Sequence, residues 1–176
     1  MSEYLVISAI GNDKPGIVNE LSNVILHHQC NIDDSRMTVL GGEFALILLI
    51  CGPWNAINKI EELLPALSTQ LNMTIIAKRT KSRERRNDRV PYHVEVVSID
   101  HPGIVANIAA FFSTRNINIE DMNTGSYAAA HTGTKMFSLS MAISVPSTQH
   151  LGELREQFTD FCDELNLDAY IEPAKN

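Results

Sequence analysis

Asp13-Lys14-Pro15-Gly16-Ile17-Val18 returns 87 residues later as Asp100-His101-Pro102-Gly103-Ile104-Val105, with five of the six residues unchanged. Working outward, Asn31-Ile32-Asp33-Asp34 meets Asn118-Ile119-Glu120-Asp121 at the same spacing. Farther on, Phe44 matches Phe137 and Pro53 matches Pro146 at a spacing of 93, so six extra residues fall around 126–135. Leu71-Asn72 then matches Leu165-Asn166. Ordered matches at a held spacing mark a tandem duplication of a unit of roughly 80 residues. A chain of 176 residues accommodates two such domains.

Each unit reads as strand, helix, strand, strand, helix, strand. β-rich runs open the units at 4–10 and 92–97. Ile17, Val18, Leu21, Val24 and Ile25 then fall on one helical face, and Ile104, Val105, Ile108, Phe111 and Phe112 repeat the pattern. Each such side chain contributes about 1.5–3 kcal/mol when buried, so the stripe is core. Second strands follow Asn31 and Asn118; Gly41-Gly42 makes a tight hairpin, replaced by a longer loop in the second unit. Third strands are predicted over 44–51 and 137–145. Second helices are predicted over 54–71 and 147–165, with Ser147 as an N-cap, and Pro65 is expected to end or kink the first of them. Short strands at 74–78 and 168–172 close the units. This order predicts an α+β protein of two tandem ferredoxin-like βαββαβ domains. Each is a four-stranded antiparallel sheet with both helices on one face.

Seven of the fourteen basic residues lie within 78–89, which carries +5 against −12 for the rest. Little in 80–87 is apolar, so the boundaries drawn are 1–79, a solvated basic linker at 80–90, and 91–176. The net charge of −7 argues against general nucleic-acid binding, although the basic segment could touch a phosphate backbone or an acidic partner. Cys30, Cys51 and Cys162 form no Cys-x-x-Cys pair and are expected to be buried, reduced thiols. The longest apolar run is eight residues, and the N-terminus lacks the basic region of a signal peptide, so a soluble cytoplasmic protein is expected.

The turn before the first helix is the informative spot. Glycine near a helix start costs up to about 1 kcal/mol relative to alanine. Asp13 or Lys14 could cap, and Pro15 suits the first turn. Two readings stand. Gly16 and Gly103 open the helix N–H groups to a carboxylate, or Pro-Gly is turn punctuation. Asn31 and Asn118 likewise either hold a zwitterion through a donating and accepting amide or tolerate a left-handed turn.

Enzymatic readings find little support. The six histidines show no serine, cysteine or metal spacing, and no Gly-x-x-x-x-Gly-Lys loop exists. Asp33-Asp34 and Glu120-Asp121 are adjacent, and on regular strands they would face opposite sides.

Asp-x-Pro-Gly-Ile-Val followed by Asn-Ile, on this element order, resembles the ACT domain family across nearly the whole chain. The first unit's 30–36, 40–44, 54–57 and 60–61 resemble, more closely, transcriptional repressors built from two ACT units. The resemblance implies a non-catalytic sensor of a small amino acid, glycine, with no cofactor. It implies repression of a glycine cleavage operon by restraint of a LysR-type activator, without direct DNA binding; glycine relieves that restraint. An ACT regulatory subunit of a metabolic enzyme is the alternative. By position, the residues it implies for the ligand are Asn12, Asp13, Gly16, Ile17 and Asn31 in the first unit and Asp100, Gly103, Ile104 and Asn118 in the second. Ile99 stands where the first unit has Asn12, so the two loops differ. Uncovered sheet faces and edges leave room for a homodimer.

Overall fold

The computed structural model describes residues 2–82 and 88–174. The chain divides into two units, Met1–Glu84 and Arg85–Asn176. The first runs β1 (Ser2–Asn12), α1 (Ile17–His27), β2 (Asn31–Leu40), β3 (Glu43–Pro53), α2 (Trp54–Leu71), β4 (Met73–Thr80). The second repeats it as β5 (Arg89–Ile99), α3 (Ile104–Ser113), β6 (Asn118–Ala128), β7 (Lys135–Pro146), α4 (Leu151–Glu164), β8 (Asp168–Pro173). The sheets have order β2-β3-β1-β4 and β6-β7-β5-β8, and every pairing is antiparallel. This is the βαββαβ fold read from the duplication. At the ends of the linker drawn at 80–90, Thr80 closes β4 and Arg89 and Val90 begin β5. The linker's stretch 83–87, and with it the expectation of a solvated linker, lies outside the described residues.

Alternation selects the core. On β1, Leu5, Ile7 and Ala9 are buried beneath the helices, and on β3 Phe44, Leu46, Leu48 and Ile50 join them. Ile17, Leu21 and Ile25 from α1 and Ile57, Ile60 and Leu64 from α2 close that core. The second unit's core is aromatic. Phe112 and Phe158 are buried with ring centroids 5.1 Å apart, and Phe111 packs on both.

Four local expectations are corrected. Neither Asp13 nor Lys14 caps α1, and Pro15 lies outside it. Gly16 is the N-cap, with φ 100° and no side-chain cap bond, and its left-handed backbone starts the helix at Ile17. Ser147 does not cap α4. Residues 147–150 form a turn in which the Gln149 N–H donates to the Pro146 carbonyl, so the helix starts at Leu151 with His150 as N-cap. Pro65 neither ends nor interrupts α2, which runs on to Leu71. Pro65 is on the exposed side, where water can take the freed carbonyl, while buried Leu64, Leu67 and Leu71 hold the turn to the sheet. Burial at ~1.5–3 kcal/mol per side chain outweighs a proline cost of ~3 kcal/mol.

The fourth concerns the paired acids. Register shifts between Ile32 and Asp34, and again between Ile119 and Asp121, place a β-bulge in each second strand. A bulge turns neighbouring side chains to one side. Asp33 accepts from Asn31 Nδ2 and Cys51 Sγ, while Asp34 lies opposite Leu49. All of these lie on the sheet face away from the helices.

The three thiols are free, but only Cys30 and Cys162 are buried; Cys51 is half-buried. Burial pushes the Cys162 thiol up to about 12 from 9.0, helped by Asp163. Below pH 9 both folded and unfolded chains keep this proton. Above it the unfolded chain loses the proton first, so stability falls as pH rises from about 9 to about 12. Cys162 is therefore expected to resist a thiol-reactive dye in the native chain at mild alkaline pH and to react once the chain is denatured. Mass spectrometry of the labelled peptides reads this, and rapid native labelling at Cys162 would contradict it.

Candidate functional site

The β1–α1 loop is built around Gly16. Its carbonyl accepts the Glu20 N–H at 2.9 Å, and no side chain caps the helix, so the amides of the first turn are not taken by a capping side chain. Such amides, with the helix dipole, favour an anion. The Asp13 carboxylate beside them has no ion-pair or side-chain hydrogen-bond partner among the described residues. A groove of about 610 Å³ opens here between the loop, α1 and the edge strand β2. Asp13 and Gly16 line its mouth, and Val18, Met37, Val39 and Phe44 give apolar walls. That volume lies in the range of small-molecule sites, ~300–1,000 Å³. It sets uncapped helix amides, one carboxylate and an apolar wall side by side.

The structure brings together Asp13, Gly16 and Ile17 in this groove but not the other two first-unit candidates. Asn12 turns to a separate cavity of about 410 Å³ with Ser68, Asn72 and Met73. Asn31 starts β2 at the far end of α1, and a helix of 11 residues is about 16 Å long. There its Nδ2 donates to Asp33 at 3.1 Å. The left-handed-turn reading of Asn31 and Asn118 is also corrected: the positive φ values fall at Gln29 and Asn116 instead.

The second loop copies the first in backbone. Gly103 has φ 99° and its carbonyl accepts the Asn107 N–H; the Asp100 N–H donates to Lys135 O, as the Asp13 N–H does to Gly42 O. Its charge differs, because Lys135 Nζ lies 2.5 Å from Asp100 Oδ2. Ile104 is buried at the helix start. Asn118 lies apart from the loop, beside Arg89 and Asn116 in a pocket of about 560 Å³, donating to Glu120 at 2.8 Å.

Sequence reading missed one constellation. His93 Nε2 lies 2.6 Å from Glu95 Oε1 and 3.4 Å from Ser140 Oγ. His93 and Glu95 share a face two residues apart, which was visible; Ser140 arrives through the pairing of β5 with β7. A nucleophilic relay needs the carboxylate on one ring nitrogen and the hydroxyl on the other. Here one nitrogen meets both, so the trio is a polar surface cluster. Among the described residues, no group of three or more His, Cys, Asp or Glu could hold a metal ion, and no helix is long and apolar enough to cross a membrane.

Fold and loop define an ACT-domain protein, and the ACT domain family model matches residues 3–78. The glycine cleavage system transcriptional repressor of Escherichia coli (strain K12) is 33% identical over 168 residues, covering 96% of this chain and 88% of that protein. A crystal structure of a candidate glycine cleavage system transcriptional repressor aligns with TM-score 0.76 and 30% identity, over 100% of this chain and 99% of that one. A protein of unknown role from Galdieria sulphuraria aligns with TM-score 0.81 and 25% identity, over 99% and 100%. The chain belongs to the glycine cleavage system transcriptional repressor family, and it is a regulatory ACT protein rather than an enzyme.

Proposed function

We propose that this chain senses a small amino acid, glycine, and represses a glycine cleavage operon by restraining a LysR-type activator in the cytoplasm, without binding DNA itself. The observation that carries the reading is the first-unit groove, where the Asp13 carboxylate stands free beside the uncapped start of α1. The helix amides take the ligand carboxylate and Asp13 takes its ammonium. The Asp100 loop is the second candidate, with Lys135 competing for its carboxylate. Asn12, Asn31 and Asn118 lie away from these two loops and would serve a ligand only at separate places.

Glycine has five heavy atoms. At a ceiling of about −1.5 kcal/mol per atom, binding reaches roughly −7.5 kcal/mol, a dissociation constant of a few micromolar at the tightest. Such affinity suits a reporter of a metabolite pool.

The test is capture of the LysR-type activator on the immobilised full chain, with a mobility-shift assay on the operon promoter alongside. Glycine should release the captured activator while alanine and serine do not, and the chain alone should leave the promoter unshifted. A promoter shift by the chain alone, or an activator complex indifferent to glycine, contradicts the reading.

A further inference from the structure

The geometry points to the helix-free sheet face of the first unit as a contact between two copies of this chain. The duplication supplies an internal comparison. On that face the first unit carries Val6, Ile10, Ile47, Leu49 and Ile76, and Ile10, Ile47 and Ile76 are 50%, 46% and 66% exposed. The second unit holds His93, Val97, Ser140, Ala142 and Tyr170 at the matching positions. One fold accepts both sets, so folding does not require the apolar one.

The pairing registers define rows across the face. One row reads Asp34, Leu49, Val6, Lys78 from edge β2 to edge β4. The next reads Arg36, Ile47, Ser8, Ile76. Two copies stacked by a two-fold axis lying between the sheets and parallel to the strands keep each row in place and reverse its order. Asp34 of one copy, which also pairs with Arg36 of its own chain at 2.6 Å, then stands over Lys78 of the other, twice, with Leu49 and Val6 between. Arg36 lies over Ile76, where its long stem can cover apolar surface. Aligned sheet packing at about 10 Å, with its modest twist, has this geometry.

The same operator applied to the second unit would stack Asp121 on Glu172, because its row reads Asp121, Ala142, His93, Glu172. Like charges oppose there, so charge selects the first-unit face for self-contact. Strands about 4.8 Å apart and seven residues at about 3.3 Å each give roughly 450 Å² per copy. That area is the whole face, its apolar centre flanked by the charged residues of the rows. The total of about 900 Å² falls below the roughly 1,000 Å² of a stable specific interface and marks a weak, reversible contact, so the dimer should dissociate in the micromolar range or above.

Sedimentation of the full chain over a micromolar-to-millimolar concentration series tests this. The wild type should pass from monomer to dimer. Ile76→Lys, at a position exposed enough to leave the fold intact by circular dichroism, should raise the dissociation constant by about tenfold or more. Lys78→Asp and Asp34→Lys should each weaken association, and the double variant should restore it. Glu172→Lys in the second unit should change nothing. A chain that stays monomeric throughout overturns the inference, as does a dimer indifferent to both Ile76→Lys and Lys78→Asp. A monomer from which Ile76→Lys releases the transcription-factor partner assigns the face to that partner and equally overturns it.

Discussion

Phe112→Ala unfolds the second unit at lower denaturant while the first unit keeps its midpoint. Phe112 is fully buried, with its ring centroid 5.2 Å from that of Phe111 and 5.1 Å from that of Phe158. Removing a buried phenylalanine ring costs about 3–5 kcal/mol, through lost transfer energy and the cavity left behind. Lost ring pairs add about 0.5–1.5 kcal/mol. A domain of this size has about 5–15 kcal/mol in total, so most of the second unit's margin disappears. The two cores share no residue. Trp54, the single tryptophan, starts α2 in the first unit and reports that unit alone. Urea unfolding followed by circular dichroism should therefore show an early step that tryptophan fluorescence does not. Coincident shifts in both probes would mean that the chain unfolds as one body, against two separate cores.

The second large effect is expected at Gly16. Valine there must adopt φ 100°, a conformation closed to β-branched side chains, at a cost of about 1–3 kcal/mol. The new side chain itself meets little protein: a Cβ would find only Glu20 Oε1, at 3.9 Å. It therefore stands at the groove, where the proposed function places the ligand carboxylate against the helix amides. Gly16→Val should lose both stability and amino-acid binding at this loop. Gly103→Val carries the same backbone strain, at φ 99°, and separates the two effects. It should be destabilised to a similar extent yet keep the response at 13–17. Thermal melts of both variants beside the ligand titration decide the matter. A Gly16→Val chain that binds normally removes the loop from the site.

The fold was legible because its evidence is periodic and appears twice. Ile17, Leu21 and Ile25, echoed by Ile104, Ile108 and Phe112, announce buried helix faces whatever the turns do. The errors fell where one residue's backbone decides. The left-handed Gly16 moves the start of α1 past Pro15. The bulges after Ile32 and Ile119 depend on pairing with β3 and β7, which no local pattern encodes. The candidate groove was legible only in part for the same reason. Asp13, Gly16 and Ile17 are neighbours in sequence and remain neighbours in space. Asn31 looked equally close in the chain, but the length of α1 carries it to the other end of the unit. The opposed rim charges Asp34 and Lys78, like the cluster of His93 with Ser140, emerge only once strand register is known.

The most direct test of the sensing claim is a set of amide NMR spectra of the ¹⁵N-labelled full chain during a glycine titration, with alanine and serine as controls. The account predicts saturable shifts, selective for glycine, at 13–17, absent in Gly16→Val and kept in Gly103→Val. Spectra unchanged up to millimolar glycine, or shifts that all three amino acids produce alike, would contradict it.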